Sequence, residues 1–268
     1  MTLSKGQMEV ALFRLGYIAI AVIMLFPLLV VISTSVTPGG NLRFPPEGIS
    51  LTWYHELLAD QQWLSAFFSS LLIATGTMAI STVLGVMAAF GVQNISQRSK
   101  LILQPLILIP LLIPPVVLGV TLLMYLSRFN LQQTYIGVIL AHTLYGAPFV
   151  FFIMQATLSR YDWSLQDATY DLGATPLRSF YEVIFPNIKS GIFAGALIAF
   201  ILSLQEFIMA LFLTGQDTVT VPVLAWTALR DLLSPLISVV STLLILSVII
   251  FLVPAALSFG YDRLAKQL

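Results

Sequence analysis

The sequence predicts an all-α polytopic membrane protein with six transmembrane helices. Hydrophobic residues make up 58% of its 268 residues and charged residues only 9%, whereas a soluble domain carries about 25% charged residues. The mean hydropathy of +0.96 agrees with this assignment. Lysine plus arginine and aspartate plus glutamate are balanced at 12 each, and cysteine is absent. This composition excludes a soluble enzyme, a nucleic-acid-binding protein and a disordered regulator as first interpretations, and it leaves no thiolate for a metal or redox centre.

Six apolar stretches are long enough to cross a bilayer. A spanning helix needs about 20 mostly apolar residues, because every backbone amide must be hydrogen-bonded within the helix there. The stretches cover approximately residues 12–35, 66–92, 101–126, 134–158, 188–213 and 236–259. The connections between them are too short to fold as a further domain. We therefore expect residues 1–268 to form a single transmembrane domain.

Lysine and arginine predict the orientation of the spans, since these residues are enriched in cytoplasmic loops. With six spans, both termini lie on one side of the membrane. That side holds nine basic residues: Lys5, Arg14, Arg98, Lys100, Arg160, Arg178, Lys189, Arg263 and Lys266. The other side holds only Arg43, Arg128 and Arg230. The bias predicts that both termini face the cytoplasm.

The connection between the fourth and fifth spans, residues 164–186, predicts two short helices on the cytoplasmic side. Gly173 can stop the first helix because glycine readily adopts positive φ. Thr175 can cap the second helix with Pro176 at its first position, and Pro186 is expected to end it. Apolar side chains remain on this water-facing segment: Ala168, Leu172, Leu177, Phe180, Val183 and Phe185. They could dock into another protein or pack under the chain's own helical bundle.

The same segment resembles the EAA motif of permease subunits in binding-protein-dependent ABC importers, EAA-x3-G-x9-I-x-LP. Asp167, Ala168 and Thr169 stand at the EAA positions, Gly173 at the glycine, and the run from Val183 to Pro186 at I-x-L-P. The resemblance implies a type I ABC importer permease fold in a bacterial cytoplasmic (inner) membrane. It also implies a coupling helix that docks on the ATP-hydrolysing subunit through Asp167, Ala168, Thr169, Gly173, Val183 and Pro186.

Other segments resemble permeases of the spermidine/putrescine subgroup. They are residues 26–35, 44–54, 142–149 and 203–207. The resemblance implies that this chain forms half of a translocation pathway, with polyamines as the expected cargo. Relatives that import phosphonates, opines or ferric iron share much of these motifs, so those cargoes stay open.

The family likeness also implies the partners of this chain. They are ATP-binding cassette subunits, a second permease subunit in a heterodimer, an external substrate-binding protein and membrane lipid. No Walker-type phosphate-binding loop occurs in the sequence, so ATP and Mg²⁺ are expected on the separate ATPase and this chain is not itself an enzyme. The alternative from a different class is a stand-alone secondary transporter, which would respond to an ion gradient rather than to ATP.

Glu206 is the one acidic residue inside a predicted span, which makes it a functional candidate. Small residues recur every four positions before it, at Gly191, Gly195, Ala199 and Ser203, and such a stripe favours close helix packing. We expect Glu206, together with Ser203 and His142, to line the pathway or form a gate. The alternatives are a structural carboxylate and a histidine hydrogen-bonded between helices. The two histidines of the chain are too few for a histidine-based metal cluster.

Two further patterns concern helix shape and packing. Proline crowds the third span at Pro105, Pro110, Pro114 and Pro115. Proline removes an amide donor and kinks helices, so this span is not expected to be straight. A hinge near the pathway and a fixed packing kink both fit the pattern. A second small-residue stripe, Ser81, Gly85 and Ala89, predicts helix packing in span two.

Overall fold

The computed structural model describes residues 5–231 and 234–265, and within these ranges the regular structure is entirely helical. The helices are α1 (Lys5–Thr34), α2 (Thr52–Ala59), α3 (Gln61–Gln93), α4 (Gln97–Leu112), α5 (Pro115–Ser127), α6 (Tyr135–Leu158), α7 (Ser164–Asp171), α8 (Pro176–Ser179), α9 (Phe185–Gln205), α10 (Ile208–Leu213), α11 (Val221–Asp231) and α12 (Leu236–Ala265). The chain divides into two compact units, Met1–Leu64 with Thr227–Leu246, and Ser65–Trp226 with Ser247–Leu268.

The first unit is organised around the end of α1. Thr34 Oγ1 donates a hydrogen bond to Ser238 Oγ near the start of α12, over 3.0 Å. The Ser35 hydroxyl lies 2.9 Å from the Tyr54 hydroxyl of α2. The indole of Trp53 donates to the carbonyl of Gly39 over 3.2 Å. The last two bonds hold α2 against the connection that follows α1. The apolar side chains along α1 are mostly exposed within this chain.

The second unit is built on the packing of α3 and α9 against α6. Gly85 of α3 lies so close to α6 that a Cβ atom there would be 2.6 Å from Val150 Cβ. At Gly146 of α6 a Cβ atom would be 2.6 Å from Ser81 Oγ. Ala199 of α9 is fully buried. The small-residue stripes of α3 and α9 therefore serve helix packing, as their spacing predicts.

The third predicted span is not one straight helix. It is divided into α4 and α5, whose axes are bent by 95° relative to each other. Ile113 and Pro114 between them are extended, with ψ of 129° and 133°. Consecutive prolines remove two amide donors, and the residue before a proline avoids the helical region. The sequence prediction that the third span is not straight is confirmed.

The fifth predicted span also ends earlier than the sequence suggested. Helix α9 stops at Gln205, Glu206 is extended with ψ of 118°, and α10 begins at Ile208. The stretch 188–213 is thus a helix, a break and a short second helix. The helix is interrupted at Glu206 because the side chain of this residue replaces the backbone hydrogen bonds that a continuous helix would make there, as described below.

Four helical segments of the described chain are long and apolar enough to cross a membrane: Leu12–Thr34, Gln61–Gln93, Tyr135–Leu158 and Pro176–Gln205. The bent pair α4 and α5 makes a fifth if it is counted as one span. The sixth predicted span falls on α12, whose described apolar part, Leu236–Ile250, is shorter than the about 20 residues that a span needs.

Candidate functional site

The connection between α6 and α9 forms the two short helices that its sequence predicts. Helix α7 ends at Asp171, and Gly173 follows with φ of +81°. The Gly173 amide donates to the Tyr170 carbonyl and the Ala174 amide to the Thr169 carbonyl, each over 2.9 Å. These bonds close the end of α7 in the manner of a glycine C-terminal cap. A side chain at Gly173 would be strained, since L-residues rarely adopt this φ.

The second helix starts as predicted but does not end at Pro186. Thr175 Oγ1 accepts a hydrogen bond from the Arg178 amide over 3.3 Å, and Pro176 occupies the first turn. Helix α8 then runs through a π-helical turn, Phe180–Ile184, directly into α9, and Pro186 lies in the first turn of α9. A proline clashes with the carbonyl four residues earlier. The wider π turn, with its bond from the Phe185 amide to the Phe180 carbonyl, accommodates Pro186 without ending the helix.

One edge of this segment packs on its own bundle through aromatic rings. Phe180 meets Phe90 of α3 edge-to-face at 6.0 Å between ring centroids, and Trp163 meets the same ring at 6.4 Å. Ser179 is buried and accepts a hydrogen bond from Thr169 over 2.6 Å. The bond ties α7 to α8, so the two short helices form one anchored unit.

The opposite edge of the segment is open. Leu172 is 88% exposed, and Leu177 and Tyr181 are exposed too. Among the positions that match the EAA motif, Asp167, Ala168, Gly173 and Pro186 are exposed, and Thr169 and Val183 are half-buried. Phe180 therefore packs on the chain's own bundle, whereas Leu172 and Leu177 are not covered by this chain.

A second candidate site lies inside the bundle, where His142, Ser203 and Glu206 come together as the sequence suggested. His142 is only 2% exposed. Its Nδ1 lies 2.8 Å from Ser203 Oγ, and Ser203 in turn donates to Thr77 Oγ1 of α3 over 3.3 Å. The chain of polar groups joins α3, α6 and α9 at one level. Sequence reasoning missed Thr77, although Thr77 and Ser81 stand four residues apart and therefore share one face of an apolar helix.

Glu206 closes this polar chain at the break between α9 and α10. Its two carboxylate oxygens accept hydrogen bonds from the amides of Met209 and Ala210, each over 3.0 Å. Its Oε2 lies 3.5 Å from His142 Nε2. The carboxylate thus caps α10 and lies beside a buried imidazole. In the described residues no group of three or more His, Asp or Glu side chains is arranged to hold a metal ion.

The connections at the other end of this unit are joined by hydrogen bonds. The Tyr135 hydroxyl donates to the Asp217 carbonyl over 2.9 Å and lies 3.0 Å from Ser69 Oγ. The Gln133 amide donates to the Leu213 carbonyl over 3.0 Å. These bonds fix the residues that follow α10 against α3 and α6. Both ends of α10 are therefore joined by hydrogen bonds to neighbouring groups.

Known proteins resemble this chain both in sequence and in structure. The profile of the family described as "binding-protein-dependent transport system inner membrane component" matches residues 81–265, which is more than half of the chain. The putrescine transport system permease protein PotI of Escherichia coli strain K12 is 31% identical over 205 residues, covering 74% of this chain and 73% of PotI. The spermidine/putrescine transport system permease protein PotC of the same strain is 22% identical over 247 residues, covering 92% of this chain and 93% of PotC.

A solved structure shows the same fold. It is the crystal structure of a bacterial ABC transporter involved in the import of the acidic polysaccharide alginate. One of its chains superposes with a TM-score of 0.65 at 14% identity, covering 98% of both chains. The relatives are permease proteins, so ATP hydrolysis belongs to a separate subunit. This chain belongs to the family of binding-protein-dependent transport system inner membrane components and is a permease subunit of an ABC importer.

Proposed function

We propose that this permease imports polyamines. It pairs with a second, related permease, and each of the two docks on an ATP-binding cassette subunit that holds ATP and Mg²⁺. An external substrate-binding protein delivers the cargo. The similarity of this chain to PotI and PotC, which are putrescine and spermidine/putrescine permeases, supports this cargo. Phosphonate, opine and ferric iron remain the competing cargoes, and the binding protein decides among them.

The proposed topology is that of a type I importer, with six spans and both termini in the cytoplasm. The excess of lysine and arginine on one side of the spans supports it. In this topology the bent pair α4 and α5 is one span and α12 is the sixth. The segment from α7 to α8 then faces the cytoplasm, where the ATPase is.

In this proposal the segment from α7 to α8 couples ATP hydrolysis to transport. The observation that carries this proposal is the 88% exposed Leu172 beside Gly173, on a segment whose other edge is anchored on Phe90. An exposed leucine on an anchored turn is suited to enter a groove of the ATPase. Asp167 and the other EAA-matching residues flank it and would complete the contact.

The helix continues without a break beyond this segment, and this continuity supports the proposed gate. Pro176–Gln205 forms one helical rod of 30 residues, including the π turn, which is about 45 Å long at 1.5 Å per residue. One end of the rod carries the docking segment, and the other ends at Glu206. Movement of the ATPase would therefore displace the break at Glu206, His142 and Ser203, which we propose as the gate or pathway lining.

The test is affinity purification of the tagged chain in mild detergent, with its partners identified by mass spectrometry. Recovery of an ATPase and a second permease is expected from wild type. Gly173→Asp should keep the chain in the membrane but abolish recovery of the ATPase, because a side chain at φ of +81° distorts the turn. Gly40→Asp is the matched control, since Gly40 is exposed with nothing near its Cβ position.

Two other results would contradict these proposals. Unchanged recovery of the ATPase with Gly173→Asp would reject the docking role. Recovery of the chain alone, in a preparation that transports on an ion gradient without ATP, would reject ATP-coupled import and favour the secondary-transporter alternative.

A further inference from the structure

A cleft of about 710 Å³ opens where α6 ends and α9 begins. Its walls come from the last two turns of α6, the connection to α7, the first turn of α7 and the first turns of α9. Neither the polar chain at His142 nor the exposed tip at Leu172 lines it. The transport mechanism proposed above assigns this cleft no role.

The lining of the cleft is divided by polarity. Phe152, Ile153 and Ala156 form an apolar wall along α6, and Phe152 is 64% exposed. Arg160, Asp162 and the polar side chains of α9 form the rim at the end of the helix. An apolar wall that leads into a charged rim fits an amphiphile, with its tail along the helix and its polar head beyond the helix end.

The two charges of the rim are opposite and unpaired with each other. Arg160 and Asp162 make none of the ion pairs found among residues 5–231 and 234–265. Asp162 Oδ1 accepts hydrogen bonds from the Ser164 amide over 3.0 Å and from the Ser164 hydroxyl over 2.7 Å. The carboxylate is thereby fixed in orientation, while in the described structure the Arg160 guanidinium has no bonded partner. A positive and a negative group two residues apart suit a ligand that carries both charges.

Tyr161 adds a donor between them. Its hydroxyl is buried in the wall of the cleft and has no hydrogen-bond partner among the described residues. Burial, and to a lesser extent the neighbouring carboxylate of Asp162, raises the pKa of this phenol above its ordinary value. The group therefore stays protonated at neutral pH and can donate to an anionic oxygen. A buried donor without an acceptor is costly unless a ligand supplies one.

We propose that this cleft binds the headgroup of a zwitterionic ethanolamine phospholipid. Arg160 and Tyr161 hold the phosphate, Asp162 holds the primary ammonium, and an acyl chain lies along Phe152 and Ile153. A purely anionic lipid would be repelled by Asp162. A choline headgroup would lose the N–H donors that the carboxylate can accept. The apolar wall disfavours a small soluble zwitterion.

The site rests on the proposed topology, which places residues 159–163 at the cytoplasmic surface of the membrane. A lipid there would lie against the base of α7. It would thus stabilise the anchored edge of the docking segment. Lipid binding itself requires neither ATP nor an ATPase, so it can be measured independently of transport.

The experiment quantifies lipids that remain with the purified complex of permeases and ATPases, by mass spectrometry after transfer to nanodiscs of mixed ethanolamine, choline and glycerol phospholipids. Wild type should enrich the ethanolamine lipid relative to the nanodisc mixture. Arg160→Gln should lower its retention about tenfold, as expected for the loss of a charge-assisted bond to phosphate. Asp162→Asn should remove the preference for ethanolamine over choline while keeping the oxygen that bonds Ser164. Arg98→Gln, at an exposed arginine of α4 outside the cleft, should retain lipid as wild type does.

A second measurement identifies what lies on the apolar wall. The chain has no cysteine, so Phe152→Cys carries a photoreactive maleimide at one defined place. Crosslinking to ethanolamine lipid supports the proposal. Crosslinking to the second permease would overturn it and make the cleft a subunit interface. Retention of an anionic lipid that Asp162→Asn strengthens would also overturn it, as would equal lipid contents in wild type and Arg160→Gln. A chain that retains the lipid but recruits no ATPase would reject the proposed transport function and leave the lipid site standing.

Discussion

Substitution of Leu172 tests quantitatively whether the segment from α7 to α8 docks on the ATPase. The Leu172 side chain is 88% exposed in this chain, so Leu172→Ala should change the stability of the permease by less than about 0.5 kcal/mol. If the side chain enters an ATPase groove, the substitution removes three carbons from that interface. At about 0.8 kcal/mol for each buried methylene, the loss is about 2 kcal/mol. The affinity for the ATPase should therefore fall about 30-fold.

The assay titrates purified ATPase subunit onto detergent-solubilised, immobilised permease and fits the retained fraction to a Kd. Thermal unfolding followed by tryptophan fluorescence confirms that the variant is folded. Ile49→Ala is the matched control, because Ile49 is an equally exposed aliphatic residue, at 85%, on the side that the topology places outside. Equal Kd values for wild type, Leu172→Ala and Ile49→Ala would show that Leu172 does not enter the interface and would refute the reasoning.

Two further predictions concern the interior of the bundle. Glu206→Gln keeps one acceptor oxygen for the α10 amides but removes the charge beside His142. Uptake of labelled putrescine into proteoliposomes should therefore fall while the complex still assembles. Uptake equal to that of wild type would show that Glu206 has only a structural role. Gly85→Val forces a Cβ atom to within 2.6 Å of Val150 Cβ and should destabilise the permease by about 1–3 kcal/mol. A fluorescence-based unfolding scan would detect this as a lower midpoint, whereas Gly91→Val, with open space at its Cβ position, should leave the midpoint much closer to that of wild type.

Local signals in the sequence predicted local structure well. The positive φ of Gly173 and the cap by Thr175 both depend on residues within four positions of each other, and both are found. The predicted end of the second helix at Pro186 was wrong. The prediction relied on the rule that proline normally stops a helix, but here a π turn accommodates Pro186, and the residue types give no clear signal for such a turn.

Long-range contacts limited the prediction of the inner site. The sequence singled out Glu206 and His142 as ionisable residues inside apolar stretches, and Ser203 as part of the small-residue stripe that precedes Glu206. It could not show that Glu206 interrupts the helix, since a carboxylate that caps the next two amides is recognised only once the backbone turns away. Thr77 escaped notice because a threonine in an apolar helix commonly bonds its own backbone. Here it accepts from Ser203 of another helix instead.

The turn at Gly173 and the break at Glu206 lie beyond the two ends of the helix through which the proposed coupling acts. Between them lies the continuous rod Pro176–Gln205, which is fastened at its base by the contact of Phe180 with Phe90. Gly173 supplies a backbone conformation that other residues rarely adopt, and Glu206 replaces helical bonds with side-chain bonds that can be made or broken. Because those bonds lie beside His142 and Ser203, the proposed movement of the rod would alter the polar chain that joins α3, α6 and α9.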